Sequence, residues 1–368
     1  MTTAFTVRER VALAGHTTLG VGGPAARFIE ASSDDQVVAV VRDADLIGEP
    51  VLVLGGGSNL VVADDGFPGT VVHVATSGVD VASREGGVAL VVAAGEDWDA
   101  LVEFCVGEGL SGLECLAGIP GLAGATPIQN VGAYGQEVAE TIVTVRAYDR
   151  VLDTLVELAN ADCGFGYRTS AFKRRALASR GALSPAAATG RFVVLGVTFW
   201  LARGALSAPV RYGELARVLG VSDGTRVPLA EARAAVLALR RGKGMVLDPD
   251  DPDTRSAGSF FTNPVLDRAQ FAEVKRRAGD QVSVPHFPGP DGHVKVPAAW
   301  LIEHAGFGKG YPEGGSARIS SKHTLALTNR GGATSAGLVA LAREIRNGVR
   351  QAFGVELVNE PVLVGTHL

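Results

Sequence analysis

Short apolar runs separated by glycine, proline and aspartate clusters make up most of the chain, and their lengths and periods predict alternating strands and helices. Ala25 to Glu30 reads as a strand, and Ser33 and Asp34 cap a helix from about Asp35 to Ala44. Val51 to Leu54 is uniformly apolar, the pattern of a strand buried on both faces. It stops at Gly55-Gly56-Gly57, and a second apolar run, Leu60 to Ala63, ends in the turn signal Asp64-Asp65-Gly66. Residues up to about 75 therefore predict a small β-α-β unit. Val88 to Ala94, Thr141 to Tyr148 and Phe192 to Trp200 predict further strands, and Asp97 to Glu108 an amphipathic helix. Glu231 to Arg241, rich in Ala, Leu and Arg, predicts a helix ended by Gly242 and Gly244. The Asp- and Pro-rich segment Asp248 to Thr254 marks a domain boundary. Leu338, Leu341, Ile345 and Val349 recur at helical spacing in a helix from Thr334 to Phe353, and Val362-Leu363-Val364 is the last apolar run.

Composition limits what such a chain can be. Its 368 residues exceed the size at which one core stops growing, so two or three domains are expected. An apolar fraction of 46%, a charged fraction of 20% and 48 glycines fit a soluble, loop-rich enzyme. The net charge of −5 argues against nucleic acid or an anionic membrane as partner. No apolar run approaches the roughly 20 residues that span a bilayer, and MTTAFTVRERVAL lacks the apolar core of a secretion signal. A cytoplasmic monomer without membrane insertion is the expectation. Cys105, Cys115 and Cys163 are odd in number and widely spaced, which indicates neither a disulfide framework nor a metal knuckle. The seven histidines show no HExxH spacing, and His304 and His323 are expected at the surface or in packing, so no metal is implied.

Two glycine-rich stretches carry the candidate chemistry. After Leu54, Gly55 to Gly57 allow positive φ and close backbone approach, and Ser58 and Asn59 add side-chain donors. Successive N–H groups in such a loop can cradle a diphosphate. The same residues also fit a plain strand–turn–strand corner, and they match neither the Rossmann GxGxxG nor a Walker loop. The second stretch, GLECLAGIPGLAGATPIQNVGAYG, runs from Gly112 to Gly135. Its backbone amides, the Gln129 and Asn130 side chains and the Tyr134 ring could line a long planar cofactor.

GGGSNL followed about sixty residues later by GIPGxxGxxxxQNxGAYG resembles the FAD-binding half of the UDP-N-acetylenolpyruvoylglucosamine reductase family. Further motifs follow in that family's order: YRxSxFK at residues 167–173, GSFFxNP at 258–264, and KxxAxWLIxxxGF, a helix in the family, at 295–307. Val210 to Leu215 resembles the tyrosine loop of the type I members, which folds over bound substrate. The end of the chain departs somewhat from the family's LEPEVRFIG, with Val358-Asn359 for Glu-Pro and Pro361 for Val; Glu360 aligns better than Glu356. KGMVLDP stands where the family has KLPDP, and Ser321, Lys322 and His323 receive no role.

The resemblance implies an α+β fold: a two-part FAD-binding domain of the vanillyl-alcohol-oxidase/PCMH type plus a C-terminal α/β substrate-binding domain. The implied boundaries are 1–75 and 76–246 for the two FAD-binding parts, 247–328 for the substrate domain, and 329–368 for a returning helix and strand. Cofactor contacts are implied at Leu54, Gly55, Gly56, Gly57, Ser58, Asn59, Gly118, Ile119, Pro120, Gly121, Gly124, Ala125, Gln129, Asn130, Gly132, Ala133, Tyr134 and Gly135. Catalytic roles fall on Arg168, on Ser259 as proton donor, and on Glu360. Substrate contacts fall on Tyr167, Tyr212, Lys243, Asn263 and Lys295.

The implied reaction takes hydride from NADPH by way of noncovalent FAD and gives it to an enolpyruvyl ether on UDP-N-acetylglucosamine. An enol ether accepts hydride only if the developing negative charge is stabilised, and a fixed donor at such a site is worth about 3–4 kcal/mol. Arg168 suits that task because a guanidinium grips a carboxylate bidentately at any working pH. Glu360, entering an apolar strand, would favour its protonated form and bind the same end of the substrate. Ser259 would protonate the other carbon, which a hydroxyl can do only against a strongly basic centre in tight geometry. NADPH has no motif of its own, in keeping with one site used alternately and ping-pong kinetics. Another FAD enzyme of the same cofactor fold, such as an oxidase, and a nucleotide-sugar binding protein without chemistry are the alternative readings.

Overall fold

The computed structural model describes residues 5–173, 189–279 and 281–368. The chain divides into two compact units. The first comprises Met1–Val11, Ala25–Gly57 and Phe67–Gly242; the second comprises Ala12–Pro24, Ser58–Gly66 and Lys243–Leu368.

The first unit contains a sheet in the order Val7–Ala12, Pro24–Ala31, Phe67–Val74, Val51–Leu54. Its last three strands are parallel. A parallel connection needs a crossover, and the helix Asp34–Ile47 supplies it. The Ser33 hydroxyl caps that helix by accepting from the Gln36 amide, and Gly48 ends it at φ +71°. Ile29, Val37, Val41, Val51 and Val72 form the core between helix and sheet. A second, antiparallel sheet runs Thr154–Ala159, Ile142–Asp149, Phe192–Arg203, Gly87–Ala93, Val79–Arg84. The helix Trp98–Gly107 is N-capped by Asp97, and the helices Gly213–Leu219 and Leu229–Gly242 complete the unit.

In the second unit, Ser256–Ser259, Ala326–Asn329 and Ala317–Ile319 form one antiparallel sheet, and Val265–Leu266, Val294–Lys295 and Phe287–Pro288 a smaller one. Phe260, Phe261, Val296, Leu301, Ile345 and Val349 are core residues, packed with the helices Arg268–Ala278, Ala298–His304 and Ser335–Phe353.

Two local readings of the sequence change. The apolar run after the first glycine loop does not extend the β-α-β sheet: Leu60–Val62 pairs in parallel with Val362–Val364 in the second unit. The helix expected over residues 295–307 is confined to Ala298–His304. Pro297 bars the helical conformation for Val296 before it, so Lys295 lies in a strand instead. Among the described residues, no helix is long and apolar enough to cross a membrane.

Candidate active site

In the first unit the two glycine-rich stretches meet. Leu54 is buried at the end of its strand, opposite His73. A Cβ on Gly56 would lie 2.9 Å from the Gly121 Cα, and one on Gly55 would touch Leu122 at 3.6 Å. Gly57 and Gly121 take φ of +61° and +129°, conformations that favour glycine. Gly56 is exposed and Gly55 and Gly121 are half-buried, so the junction of the loops presents backbone at the surface.

Parts of the second stretch are spent on the fold. The Gly118 amide donates to Asp99 Oδ1 at 2.6 Å, the Gly124 amide to the Ala94 carbonyl at 2.9 Å, and the Ala125 amide to the Leu122 carbonyl at 3.0 Å. Any ligand contact there is with Cα and carbonyl surface rather than with those donors. Gly124 is required sterically, since a Cβ would fall 2.4 Å from that of Ala94. Ile119 and Pro120 are half-buried beside them.

Gln129 is half-buried, and Asn130 is 2% exposed. The Asn130 side chain, expected from the motif to face a cofactor, bonds to the protein itself. Its Nδ2 donates to Glu137 Oε2 at 2.6 Å and to the Gly166 carbonyl at 3.2 Å, and its Oδ1 accepts from the Ala139 amide at 3.2 Å. Gly132–Ala133 pairs with Gln136–Glu137 in a short hairpin whose corner is Tyr134-Gly135, both at positive φ. Such a corner usually takes Asn-Gly, so Tyr134 at φ +49° is a strained choice. Burial pushes its hydroxyl up to about 12, and its ring meets Tyr212 edge-on at 5.4 Å.

Arg168 occupies a tight turn closed by mutual backbone bonds between Gly166 and Thr169. Its φ of +52° is again rare for a side chain. Its Nη2 donates to the Gly132 carbonyl at 3.1 Å, and Lys173 Nζ donates to the Arg168 carbonyl at 3.0 Å. The Ser170 hydroxyl donates to the Ile128 carbonyl at 2.5 Å. Tyr167, whose ring centre lies 5.9 Å from the Arg168 guanidinium carbon, is 38% exposed.

Arg240 belongs to this neighbourhood and sequence reading missed it. From the last turn of Leu229–Gly242, its Nη2 donates to the Gly118 carbonyl at 3.2 Å. Burial pushes its pKa down to about 10; Tyr134 and Asp99 oppose that shift and Arg168 adds to it. It stays charged at neutral pH, giving the glycine loop a second fixed positive charge. An arginine beside Arg241 at a helix end reads as solvated, so only its inward turn identifies it.

In the second unit, Ser259 ends the strand Ser256–Ser259 opposite Ala326, after Gly258 at φ +72°. The next two residues, Phe260 and Phe261, are buried and anchor it in the core. The Glu360 amide donates to the Phe260 carbonyl at 2.9 Å, and Phe261 bridges Asn359. Glu360 is 9% exposed. Its carbonyl accepts from Asn59 Nδ2 at 3.5 Å, and the Val362 amide donates to the Asn59 carbonyl at 2.9 Å. The second unit thus brings Ser259, Glu360 and the half-buried Ser58-Asn59 end of the first glycine loop onto adjoining backbone. Asn263 Oδ1 caps the helix Ala298–His304 by accepting from the Ala298 amide at 2.9 Å. Lys243 opens the unit's main segment, and Lys295 lies opposite Val265 and Phe287. Ser321 and Lys322 bond Asp253 and Asp251, a structural use.

The three buried cysteines are free thiols, and burial pushes Cys105 and Cys115 up to about 12 and Cys163 up to about 11. His304 stacks on Trp300 with ring centres 4.0 Å apart. Among the described residues, no group of three or more His, Cys, Asp and Glu is placed to hold a metal ion.

Comparison with known proteins follows the two halves of this arrangement. Residues 25–158 match the family described as FAD binding domain, and residues 250–364 match the family described as UDP-N-acetylenolpyruvoylglucosamine reductase, C-terminal domain. The UDP-N-acetylenolpyruvoylglucosamine reductase of Thermobifida fusca is 57% identical over 100% of both chains. That of Streptomyces coelicolor is 57% identical over 97% of this chain and 90% of its own. The crystal structure of the Thermus caldophilus enzyme of that name is 25% identical, with a TM-score of 0.63, covering 98% of this chain and 99% of the other.

Proposed function

The chain belongs to the UDP-N-acetylenolpyruvoylglucosamine reductase family, and we infer from this premise that it is an FAD-dependent oxidoreductase of peptidoglycan precursor synthesis. It reduces the enolpyruvyl ether of UDP-N-acetylglucosamine to UDP-N-acetylmuramate. NADPH is the proposed source of the hydride, and the protein is proposed to act as a cytoplasmic monomer in which residues 1–246 carry FAD and residues 247–328 the sugar nucleotide.

The residues present fit FAD. At Gly56 the Gly55–Gly57 loop packs backbone to backbone on Gly121, a junction that FAD is proposed to rest on, with Ser58, Asn59 and Arg240 as proposed donors and positive charge. The Gly132–Gly135 corner and Gln129 are proposed to line the same cofactor. No histidine or cysteine lies within Gly55–Asn59, so the attachment is proposed to be noncovalent. FAD, when bound, supplies the hydride that reaches the terminal carbon of the enol ether.

The remaining steps fall to the protein. Arg168 holds the substrate carboxylate and the negative charge that grows beside it; a fixed charged donor there is worth about 3–4 kcal/mol. Ser259 delivers its hydroxyl proton to the other carbon and is re-protonated from solvent or a neighbouring acid. Glu360 binds the same end of the substrate. Tyr167, Tyr212, Lys243, Asn263 and Lys295 hold the nucleotide diphosphate and sugar; Asn263 also caps a helix with its oxygen.

The observation that carries this reading is the direct backbone bond between the Ser259 and Glu360 segments. It supports a shared task for two residues far apart in sequence. The test is anaerobic. With the bound flavin reduced by NADPH, addition of UDP-N-acetylglucosamine enolpyruvate should reoxidise it rapidly. A flavin that stays reduced until oxygen enters would move the function to an oxidase on the same fold.

A further inference from the structure

Asn130 lies in the stretch that resembles a cofactor loop, yet its side chain is turned to another use. An amide side chain offers two N–H donors and one carbonyl. Here both donors are taken, by Glu137 and by the Gly166 carbonyl, and the carbonyl accepts from Ala139. The residue itself sits at φ +48°, a conformation that asparagine tolerates better than most residues.

The Gly166 carbonyl belongs to the turn that holds Arg168 at φ +52°. A side chain in that region persists only where its surroundings over-determine it. The short hairpin supplies those surroundings twice. Its Gly132 carbonyl accepts from the Arg168 guanidinium, and its Glu137 carboxylate fixes Asn130, which in turn holds the turn's first residue.

We propose that Asn130, fixed by Glu137, is a positioning residue for Arg168 and does not use its side chain on the flavin. The proposal rests on the reading of Arg168 as the residue that holds the substrate carboxylate. Asn130→Asp keeps the size and the acceptor for Ala139, but it replaces both donor contacts with repulsions. Adding Glu137→Gln returns a donor to face the new carboxylate.

The experiment photoreduces the FAD-loaded protein anaerobically, mixes it with UDP-N-acetylglucosamine enolpyruvate and follows flavin reoxidation, alongside FAD affinity and the visible flavin spectrum. Asn130→Asp is expected to slow reoxidation about 10- to 100-fold, the cost of a small misplacement, with FAD affinity within about threefold of the parent. The double variant is expected to recover part of the rate and no more, because residue 130 still offers no donor to the Gly166 carbonyl. Reoxidation at the parent rate in Asn130→Asp overturns the proposal, and so does a loss of FAD affinity that Glu137→Gln does not restore. If Asn130→Asp fails to fold, Asn130→Gly, which suits the backbone conformation, is expected to slow the same step. Arg168→Lys serves as the control: parent-rate reoxidation there would overturn the reading of Arg168 and not the geometry of Asn130.

Discussion

The amide of Glu360 donates to the carbonyl of Phe260 at 2.9 Å. Phe260 directly follows Ser259, so a backbone bond ties the proposed proton donor to the proposed acidic residue 101 positions further along the chain. Phe260 and Phe261 are 1% exposed and pack edge-on at 5.2 Å, which fixes the strand end on which Ser259 sits.

Because Ser259 holds its place through its neighbours' burial, Ser259→Ala should remove the proton and little else. General acid catalysis contributes about 10²–10⁴-fold, and a loss of that size is expected in flavin reoxidation by the enolpyruvyl substrate. FAD content and flavin reduction by NADPH should stay near the parent values. An equal loss in both half-reactions would remove Ser259 from the proton step.

A methyl group on Gly56 would sit 2.9 Å from the Gly121 Cα, a contact with backbone that no side-chain rotation relieves. Gly56→Ala should therefore separate the two glycine loops. Overpacking of this kind typically costs about 1–3 kcal/mol, which corresponds to roughly 5- to 150-fold in FAD affinity if the strain is released in the unloaded protein. Fluorescence titration of the apoprotein with FAD measures it. Unchanged affinity would mean that the cofactor does not rest on this junction.

The thiols of Cys105 and Cys115 are pushed up to about 12 by burial, with the Glu114 carboxylate adding to it. A thiol raised from about 9 on folding adds stability that is complete below pH 9 and is lost as pH climbs toward 12, because the unfolded chain deprotonates first. Unfolding free energy should fall across that window by up to about 1.4 kcal/mol per pH unit for each such thiol. Cys105→Ala should flatten the slope by about that amount in urea titrations at successive pH values. A slope unchanged by the substitution would show that the buried thiol does not control it.

Much of this was legible from the chain because the signals are local. Ser33 caps its helix as expected, and the helices expected to begin at Asp97 and Thr334 begin one residue later, capped by those side chains. What the chain does not announce is non-local. The apolar run Leu60–Val62 announces a strand but not its partner, and Val362–Val364 lies at the far end of the chain. Nothing in QNVGAYG says which way Asn130 points; only the folded hairpin and the Gly166 carbonyl decide it. Arg240 has the same character, since burial against the Gly118 carbonyl has no sequence signal.

The ring of Tyr134 meets that of Tyr212 edge-on, with planes 84° apart, although Tyr134 holds a backbone conformation that tyrosine rarely takes. The strain at residue 134 is therefore offset where its ring packs, and Tyr212 is its aromatic neighbour. An edge-to-face pair couples by about 0.5–1.5 kcal/mol beyond area burial. A double-mutant cycle with Tyr134→Ala and Tyr212→Ala, read in unfolding free energy, should return a coupling in that range. Tyr212 is 42% exposed, so its own removal should cost little stability yet raise KM for the sugar nucleotide, if the loop's work is to cover substrate. A coupling near zero would mean that the tyrosine loop is placed by other contacts, with the Arg211–Glu140 ion pair at 3.3 Å the next to test. That pair is exposed at both ends, and such pairs contribute at most about 1 kcal/mol, so the aromatic contact is the stronger candidate for holding the loop.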